Sequence, residues 1–220
     1  MKAMILAAGR GERMGALTLT RPKPLLDIGG SSLIEHHVAR LASCGIDEVV
    51  INLSYRGTQI RDRLGNGSRF GVSIAYSEEG EPPLETGGGI VHALPLLGSE
   101  PFVLVNSDVF TRFDFRTLVA SPREPTLVLV PNPAHHPGGD FGIDAAGFVS
   151  AAPPLFTYAG VALFDPRPFA ALTPGRRPLK PWLDAAIARR ELKGVLFPGV
   201  WIDVGTPERL EEARGIAARG

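Results

Sequence analysis

The chain has 220 residues, of which 44% are hydrophobic and 21% charged, a composition typical of a globular protein with enough apolar material for a core. Its 23 basic residues balance 23 acidic ones, which argues against a nucleic-acid-binding surface. No apolar run of about 18 residues occurs, as a transmembrane helix needs, and the N-terminus does not resemble a signal peptide. The single cysteine, Cys44, excludes an internal disulfide. We therefore expect a cytoplasmic protein whose residues 1–220 form a single domain, with no membrane or nucleic-acid partner.

Short apolar runs alternate with helical patterns in the first part of the chain. Such alternation predicts βαβ units, so the expected class is α/β with a mixed, mainly parallel sheet flanked by helices. The predicted strands are Ala3–Ala8, Glu48–Leu53, Val72–Tyr76, Phe102–Val105 and Thr126–Val130, and the predicted helices are Ser32–Cys44, Thr58–Leu64 and Gly89–Leu97.

The second part of the chain continues with a proline-rich loop and then with further strands and helices. Proline lacks the amide hydrogen that a strand needs, so Pro131–Pro137 is predicted as a loop. The predicted elements after it are a hairpin with its turn at Asp144–Gly147, strands at Tyr158–Phe164 and Val195–Val204, and helices at Pro181–Arg190 and Pro207–Ala218.

Three of the predicted strands lead into loops with distinctive chemistry. Ala3–Ala8 precedes a glycine- and arginine-rich loop, Phe102–Val105 precedes Asn106-Ser107-Asp108, and the last predicted strand contains Asp203. In an open α/β sheet, ligands bind outside the carboxyl ends of the strands. We therefore expect these segments to converge on one site.

The first of these loops has the composition of an anion-binding loop. Gly9 and Gly11 allow backbone amides to approach an anion closely, and Arg13 and Lys23 add positive charge. Two commoner phosphate loops do not fit. The third glycine, Gly15, is one residue too late for G-x-G-x-x-G, and no Gly-Lys pair is present for a Walker A loop. The glycines alone would be equally consistent with an ordinary surface turn.

The combined pattern is more specific than its parts. L-A-A-G-x-G-x-R-M, followed by P-K-P, spans Leu6 to Pro24 and resembles the signature of sugar-1-phosphate nucleotidylyltransferases. The resemblance implies a Rossmann-like (GT-A-like) fold and a loop that wraps the triphosphate of an NTP. It also implies that Arg13 neutralises the β- and γ-phosphates and that Lys23 stabilises the reacting phosphate. The loop residues expected to bind the nucleotide are Leu6, Ala7, Ala8, Gly9 and Gly11.

Two aspartates match the family's metal-binding positions. Asp108 corresponds to the aspartate of a G-D motif, with Ser107 in place of the glycine, and it is expected to contact the nucleotide too. Asp203 opens D-V-G-T-P, in which Thr206 and Pro207 also suit a helix N-terminus. Carboxylates are ligands that Mg²⁺ prefers, so the resemblance implies a Mg²⁺ cofactor held by both. A lone aspartate after a strand is more often a turn residue or helix cap.

A fourth motif, L-E-T-G-G-G, favours a narrower branch of the family. It resembles N-acetylmuramic acid-1-phosphate uridylyltransferases, which are similar to mannose-1-phosphate guanylyltransferases, and this branch also has no β-helix tail. Glu85, Gly87 and Gly88 are the predicted nucleotide-binding residues of the motif. The preferred substrates are UTP and N-acetylmuramic acid 1-phosphate, which indicates peptidoglycan sugar recycling. GTP with mannose 1-phosphate is the main alternative, and other hexose or heptose phosphates stay open.

The sugar-binding side is predicted from the segments 130–141 and 156–161 and from the end of the fourth strand. Asp140 is the carboxylate expected to contact sugar hydroxyls, whereas His135 and His136 are interpreted as loop residues. The larger groups of the family carry an E-K-P segment whose lysine holds the sugar phosphate, and it does not occur here. Arg177 and Lys180 are weak substitutes. The predicted sugar-binding residues are Asn106, Asp140, Thr157 and Gly160.

The resemblance implies direct transfer, in which the sugar phosphate attacks the α-phosphorus of the NTP and pyrophosphate leaves. Three other functions fit these residues less well. A glycosyltransferase would carry Asp-x-Asp, but Asn106 occupies its first position; a non-enzymatic sensor would be expected to lose the charged set; a dehydrogenase does not fit the glycine spacing. The expected partners are an NTP and a sugar 1-phosphate, and the protein is expected to be a monomer or small homo-oligomer.

Overall fold

The computed structural model describes residues 1–120 and 124–219. The strands are β1 Lys2–Leu6, β2 Asp27–Ile28, β3 Ser31–Ser32, β4 Glu48–Leu53, β5 Ser73–Glu78, β6 Phe102–Asn106, β7 Val109–Thr111, β8 Thr126–Val130, β9 Gly142–Ile143, β10 Val149–Ser150, β11 Thr157–Phe164, β12 Lys193–Leu196 and β13 Trp201–Asp203. The helices are α1 Ala16–Leu19, α2 Leu33–Ser43, α3 Gly57–Leu64, α4 Glu85–Leu97, α5 Arg116–Val119, α6 Arg167–Ala170, α7 Lys180–Ala188 and α8 Pro207–Ala217.

Within the described residues, seven strands form the central sheet in the order β12-β8-β11-β6-β1-β4-β5. β1 runs parallel to both β4 and β6, β4 runs parallel to β5, and β12 runs parallel to β8. Only β11 runs the other way, antiparallel to β6 and β8. The predicted class, a mixed and mainly parallel sheet flanked by helices, is confirmed. The boundaries 1–220 for a single domain stay a prediction.

Helices cover both faces of the sheet because its strands are apolar on both sides. Ile5 of β1 belongs to the core that includes Ile34 of α2 and Ile60 of α3. Met4, whose side chain points to the opposite face, belongs to a second core with Ile90 of α4. Among the described residues, no helix is long and apolar enough to cross a lipid bilayer.

The chain leaves β1 through α2 to reach its neighbour β4, and it later reaches the other neighbour, β6, through α4. Since α2 and α4 contribute to different cores, these connections lie on opposite faces of the sheet. A crevice therefore opens at the carboxyl end of β1, where the direction of the strand order reverses.

Most predicted elements are confirmed with ends that differ by one or two residues. The N-terminus of α2 is fixed by a capping interaction, in which the Ser32 amide donates to Glu35 Oε2 at 2.8 Å. The hairpin turn is confirmed by a 2.9 Å hydrogen bond from the Gly147 amide to the Asp144 carbonyl. Residues 131–137 contain no strand, as predicted.

One predicted strand is wrong. Val195–Val204 forms two strands in two different sheets: β12 extends the edge of the central sheet, and β13 pairs antiparallel with β7. Pro198 and Gly199 lie between them, and proline cannot donate the hydrogen bond that a continuous strand would require. The start of α4 also differs, because the helix begins at Glu85, four residues before the predicted Gly89.

Candidate active site

A cleft of about 720 Å³ lies at the carboxyl ends of four neighbouring strands. Leu6, Asn52, Glu79 and Asn106 line it, and they stand at or directly after the ends of β1, β4, β5 and β6. The crevice predicted by the strand order is therefore a real cavity, and its size is within the range of small-molecule binding sites.

The cleft brings together most of the residues predicted from the first loop and from the strand ends. The predicted site residues that line it are Leu6, Ala8, Gly9, Gly11, Arg13, Lys23, Glu85, Asn106 and Asp108. Seven other predicted site residues are not among those that line it: Ala7, Gly87, Gly88, Asp140, Thr157, Gly160 and Asp203.

Gly11 determines how the first loop turns. Its φ of 67° lies in the left-handed region, and a Cβ at this position would come within 3.0 Å of Lys23 Cβ. Glycine is therefore required both for the backbone conformation and for the close approach of the lysine. The short 3₁₀ turn Glu12–Met14 follows, and it presents the exposed Arg13 side chain to the cleft.

Lys23 is a buried lysine whose ammonium group faces the cleft. The residue is 6% exposed, and its Nζ lies 2.8 Å from Asp108 Oδ2. Pro22 holds extended backbone before it, and Pro24 continues into a 3₁₀ turn. Since prolines restrict the chain on both sides, the lysine has little conformational freedom.

Asp203 lies beside Asp108 because β13 pairs with β7. Asp203 pairs in register with Val109, and the Val204 amide donates to the Asp108 carbonyl at 2.9 Å. Arg209, from the first turn of α8, balances the negative charge of Asp203, because its Nη1 lies 3.0 Å from Asp203 Oδ2. Segments 95 residues apart in the sequence thus bring two aspartates together, Asp108 in the lining of the cleft and Asp203 beside it.

These carboxylates fit a Mg²⁺ ion bound together with a substrate. Mg²⁺ is usually held by one or two protein carboxylates, with phosphate oxygens and water completing its coordination. Residues 1–120 and 124–219 contain no cluster of three or more potential His, Cys, Asp or Glu ligands, so an all-protein cage is not formed there. Asp108 and Asp203 therefore suit a metal that arrives with phosphates.

The glycines of L-E-T-G-G-G lie inside the first turns of α4 and are buried. A Cβ at Gly88 would come within 2.4 Å of the Gly175 carbonyl oxygen, and one at Gly87 within 2.9 Å of the Pro178 oxygen. The residues are small because the segment 175–178 packs directly on the helix. Their predicted contact with the nucleotide stays a prediction, whereas Glu85 lines the cleft with φ at 61°.

On the predicted sugar side, Gly160 supports Asn106. β11 has an irregularity between Tyr158 and Ala162, and Gly160 adopts a φ of 67° within it. A Cβ there would come within 2.7 Å of Asn106 Nδ2. Gly160 therefore leaves the space into which the Asn106 side chain fits, at the edge of the cleft.

Asp140 and Thr157 are occupied by contacts within the protein. Asp140 Oδ2 accepts a hydrogen bond from the Tyr158 amide at 2.8 Å, and Oδ1 lies 3.1 Å from His136 Nε2. The Thr157 hydroxyl donates to Asn132 Oδ1 at 2.9 Å and is buried. These contacts order the start of β11, and a sugar contact by either side chain stays a prediction.

His135 lies close to the carboxylate of Asp203. Its Nε2 lies 3.7 Å from Asp203 Oδ2, and Arg209 approaches the same nitrogen. Burial, followed by the charge of Arg209, lowers the pKa of His135 below its ordinary value. The ring is therefore neutral near pH 7 and accepts a hydrogen bond from the guanidinium group.

Asn52 and Glu79 were not predicted as site residues. Asn52 Oδ1 accepts from the Ala7 amide at 2.7 Å, and its Nδ2 donates to Glu79 Oε1 at 2.6 Å. Glu79 Oε2 then accepts from the Leu84 amide at 2.8 Å. The pair therefore joins the first loop to the segment before α4. A polar Asn52 within the apolar run VVINL is the signal that could have identified it.

Of the basic residues near the segment 175–178, Arg176 reaches the cleft. It lines the cavity and pairs with Glu85 at 2.8 Å. Arg177 donates to the Thr173 carbonyl, and Lys180 pairs with Asp184 at 2.7 Å. The two proposed substitutes for the missing lysine are therefore not among the described residues that line the cleft.

Comparisons with known proteins agree with this site. The family model described as "Nucleotidyl transferase" matches residues 2–144. An N-acetylmuramate alpha-1-phosphate uridylyltransferase of Neisseria meningitidis is 46% identical, over 99% of this chain and 98% of its own length. The protein of that name from Caulobacter vibrioides is 32% identical, over 94% of this chain and 92% of its own length. A mannose-1-phosphate guanyltransferase of Schizosaccharomyces pombe is 30% identical over 94% of this chain and 62% of its own.

A solved structure of a putative glucose-1-phosphate thymidylyltransferase from Bacillus anthracis has a TM-score of 0.87 at 23% identity, over 99% of this chain and 95% of that one. At that identity the likeness concerns the fold, and it agrees with the sheet and helix arrangement described above. The family match covers the first loop, the first aspartate and most of the residues that line the cleft, and the sequence relatives cover nearly the whole chain. The chain belongs to the nucleotidyl transferase family.

Proposed function

We propose that the chain transfers a uridylyl group from UTP to N-acetylmuramate 1-phosphate, which gives the UDP-sugar and pyrophosphate. The observation that carries the reaction class is the pairing of Lys23 with Asp108 at 2.8 Å, in a cleft bordered by the glycine loop. The choice of substrates is supported by the relative from Neisseria meningitidis, which is 46% identical over nearly the full length of both chains. On this proposal the protein acts in recycling of peptidoglycan sugars.

The first loop would bind the triphosphate. The backbone of Ala8, Gly9 and Gly11 borders the cleft without large side chains, so amide groups can approach phosphate oxygens closely. Arg13 lies at the same border and would neutralise the β- and γ-phosphates that leave as pyrophosphate. Both contributions position the α-phosphorus for attack and stabilise the leaving group.

Lys23 would stabilise the charge that develops on the reacting phosphate. An ammonium group that is held in a buried position needs little reorganisation when the transition state forms. An oxygen of the sugar phosphate forms a bond to the α-phosphorus of UTP, and the bond from that phosphorus to the oxygen bridging to the β-phosphate breaks. The electron pair of the broken bond leaves with pyrophosphate.

Asp108 and Asp203 would hold Mg²⁺ when substrates are bound. Bound Mg²⁺ supplies neutralisation of phosphate charge and orientation of the phosphate oxygens. In the structure described above, the two carboxylates are compensated by Lys23 and Arg209 respectively. These cations would hold the two carboxylates in place before the metal–nucleotide complex arrives.

The residues of the cleft favour direct transfer over a covalent enzyme intermediate. Ser107 is a lining residue with a hydroxyl group, but it is 4% exposed. No histidine of the described parts of the chain lines the cleft to activate it. A serine nucleophile ordinarily needs such a base within hydrogen-bonding distance.

A second candidate is transfer from GTP to mannose 1-phosphate. It is favoured by the relatives of that activity, among them the Schizosaccharomyces pombe protein at 30% identity. The two candidates have the same mechanism and differ in the base and the sugar. Other hexose or heptose 1-phosphates stay open as acceptors.

Pyrophosphate release with Mg²⁺ tests both candidates. UTP, GTP, dTTP and CTP are each combined with N-acetylmuramate, mannose and glucose 1-phosphates. A dominant rate for UTP with N-acetylmuramate 1-phosphate is the expected result. Another dominant pair would replace the proposed substrates while keeping the reaction, and no release in any combination from folded protein would contradict the reaction itself.

Cellular location and assembly are parts of the same proposal. Cys44 is a free, half-buried thiol, which suits a reducing cytoplasm. We expect a monomer or small homo-oligomer whose partners are small molecules only. Light scattering coupled to size-exclusion chromatography would determine the mass in solution.

A further inference from the structure

A second cavity, of about 330 Å³, lies between α2, β7 and the last residue of α8. His36, Arg40 and Ser43 line it from one face of α2, and Thr111 and Arg112 line it from the end of β7 and the residue after it. None of the described residues lines both this α2–β7 cavity and the cleft. Its volume is near the lower end of the range for small-molecule sites.

The lining of the α2–β7 cavity is positively charged. Arg40 and Arg112 line it, whereas no aspartate or glutamate among residues 1–120 and 124–219 does so. In the same part of the chain, neither arginine forms a salt bridge, and the carboxylate of Asp114 is paired with Arg116 at 2.9 Å. Two guanidinium groups therefore face the cavity without a carboxylate partner.

Arg40 has hydrogen-bond donors that the protein leaves unused. Its Nη2 donates to the Phe113 carbonyl at 2.8 Å, and its Nε is buried without a partner in the described structure. A buried N–H without an acceptor is unfavourable. A guanidinium presents Nε and Nη side by side, in a fork that fits an oxyanion. An anion in the cavity would supply the missing acceptor.

Arg112 lies close enough to Arg40 for the two charges to interact. Burial is the main cause that lowers the pKa of Arg40. The charges of Cys44 and Asp114 oppose this effect, whereas the charge of Arg112 adds to it. Like charges that face one cavity repel each other, and an anion between them would remove the repulsion.

A purely structural role accounts for only part of this arrangement. Arg112 Nη2 donates to the Ile216 carbonyl at 3.2 Å, so it attaches the end of α8, and Arg40 similarly contacts the segment after β7. Each of these contacts uses one of the five N–H donors of a guanidinium. They do not explain why both cations line one cavity that has no acidic residue among its described lining residues.

The α2–β7 cavity also borders the strand that brings the two aspartates together. β7 begins one residue after Asp108, and its Val109 pairs in register with Asp203. Arg112 follows β7 directly, and its amide donates to the Val200 carbonyl at 3.0 Å. Four residues of a strand span about 13 Å. A ligand held by Arg112 would therefore lie outside the cleft but on the element that positions both aspartates.

We propose that the α2–β7 cavity is a second binding site, which takes the phosphate group of a small molecule between Arg40 and Arg112 and thereby stabilises β7. This site goes beyond the proposed function, which assigns no ligand to this face of the protein. The cavity has less than half the volume of the cleft, so the ligand is compact. Two sources share the required chemistry, inorganic phosphate and the phosphate group of an organic molecule such as UMP.

Calorimetry on the full chain tests the binding, after the cleft has been filled with Mg²⁺ and a non-hydrolysable UTP analogue. Inorganic phosphate and UMP are the probes. Arg112→Gln removes the charge but keeps a side chain that can donate to the Ile216 carbonyl. We expect it to weaken binding about ten- to a hundredfold, as the loss of a charged hydrogen bond does. Arg40→Lys keeps the charge without the fork and should retain part of the affinity.

Arg189→Gln is the matched control, because it removes an exposed positive charge that does not line the cavity, and it should leave binding unchanged. Thermal unfolding on the same samples verifies that each variant is folded. Equal binding by wild type and folded Arg112→Gln would place the phosphate elsewhere and overturn the inference. Absence of binding of both probes to wild type would also overturn it.

The two probes separate the sources of the phosphate group. Tighter binding of UMP would show that the cavity accepts an organic phosphate, whereas equal or tighter binding of inorganic phosphate would show that the ion alone is recognised. Either result supports the site when Arg112→Gln loses it.

Mg²⁺ titrations of nucleotide-sugar formation test the effect on β7. Expressed as free Mg²⁺, the concentration required for half-maximal activity of wild type should fall about twofold when phosphate is added, because carboxylates on a stabilised strand lose less freedom when they bind a metal. Arg112→Gln should show no such fall. Equal responses in the two proteins would overturn the effect on β7. Protein that binds phosphate in this cavity but transfers no nucleotidyl group would refute the proposed function and leave the second site standing.

Discussion

Lys23 Nζ lies 2.8 Å from Asp108 Oδ2, although 85 residues separate the two positions in the chain. The lysine side chain is 7% exposed and the aspartate side chain 35% exposed, so the pair sits at the boundary between the protein interior and the cleft. Each charge compensates the other before substrates arrive. Phosphates in the cleft would offer Lys23 a new partner and leave Asp108 free for a metal.

The second aspartate provides a test of metal binding. We expect Asp203→Asn to raise the Mg²⁺ concentration required for half-maximal activity at least about tenfold, because a carboxylate ligand is replaced by a neutral amide. Mg²⁺ titrations of pyrophosphate release would measure it. Glu211→Gln, which removes an exposed charge from α8, serves as the control and should leave the titration unchanged. Equal titrations for Asp203→Asn and wild type would exclude Asp203 as a ligand.

The glycine motif at the start of α4 can be tested through stability. A Cβ at position 88 would meet the Gly175 oxygen at 2.4 Å, so Gly88→Ala must displace the segment that carries Arg176. We expect a loss of about 1–3 kcal/mol in the free energy of unfolding, typical of overpacking. Gly138→Ala is the matched control, since a Cβ there meets nothing within 4 Å. If the two substitutions cost the same, the close approach does not require glycine at position 88.

Asn52 and Glu79 are expected to act as positioning residues for the nucleotide. Asn52→Ala removes the acceptor of the Ala7 amide and the donor to Glu79, so the two borders of the cleft lose their connection. We expect the KM for UTP to rise about tenfold, by analogy with the loss of a charged hydrogen bond, and kcat to change less. Glu79→Gln should have a similar effect, and the double variant should be less than additive because both residues belong to one network. Fully additive effects would indicate that the two residues act independently.

Because His37 is buried, we expect the stability of the fold to depend on pH. Burial lowers its pKa from an ordinary value of 6.5 to about 4. The unfolded chain therefore takes up the proton first as the pH falls below 6.5, and stability decreases from there toward pH 4, by about 2 kcal/mol at pH 5. Burial raises the pKa of Glu35, but hydrogen bonds from Arg63 and Ser32 outweigh it and lower that pKa from 4.5 to about 2. Its stabilisation is therefore present above pH 4.5 and is lost only as the pH falls below that value, so the decrease between pH 6.5 and pH 5 belongs to His37.

The corresponding variant is His37→Gln, which keeps a polar side chain of similar size but cannot titrate. Thermal unfolding near pH 7 and near pH 5 should show a smaller decrease in the variant than in wild type. An unchanged decrease would mean that other groups dominate the acid sensitivity.

The sequence was most informative where one local rule decides the structure. Alternating strands and helices predicted the sheet, and strand ends predicted that the first loop and Asp108 would share a cleft. Asp203 was expected near Asp108 from the resemblance, and the pairing of β13 with β7 accounts for their proximity. The split between β12 and β13 was missed, although Pro198 carried the signal, because both strands are apolar and the chain between them is short.

Other features depend on contacts that no local pattern specifies. Gly87 and Gly88 suggested a loop near a ligand, whereas they lie inside α4, and the segment 175–178 packs directly against them. The hydrogen bonds of Asn52 and Glu79 require β4 and β5 to be neighbours, which follows only from the assembled sheet. Arg176 could not be distinguished from Arg177 before the direction of each side chain was known.

The central claim is that Lys23 and Asp108 perform nucleotidyl transfer in this cleft. The most direct measurement is kcat for formation of the nucleotide sugar by Lys23→Ala and Asp108→Asn, with thermal unfolding recorded on the same samples. We expect each variant to stay folded and to lose about 10²–10³ in kcat, the usual effect of removing one transition-state stabiliser. Near-normal turnover in both folded variants would contradict it.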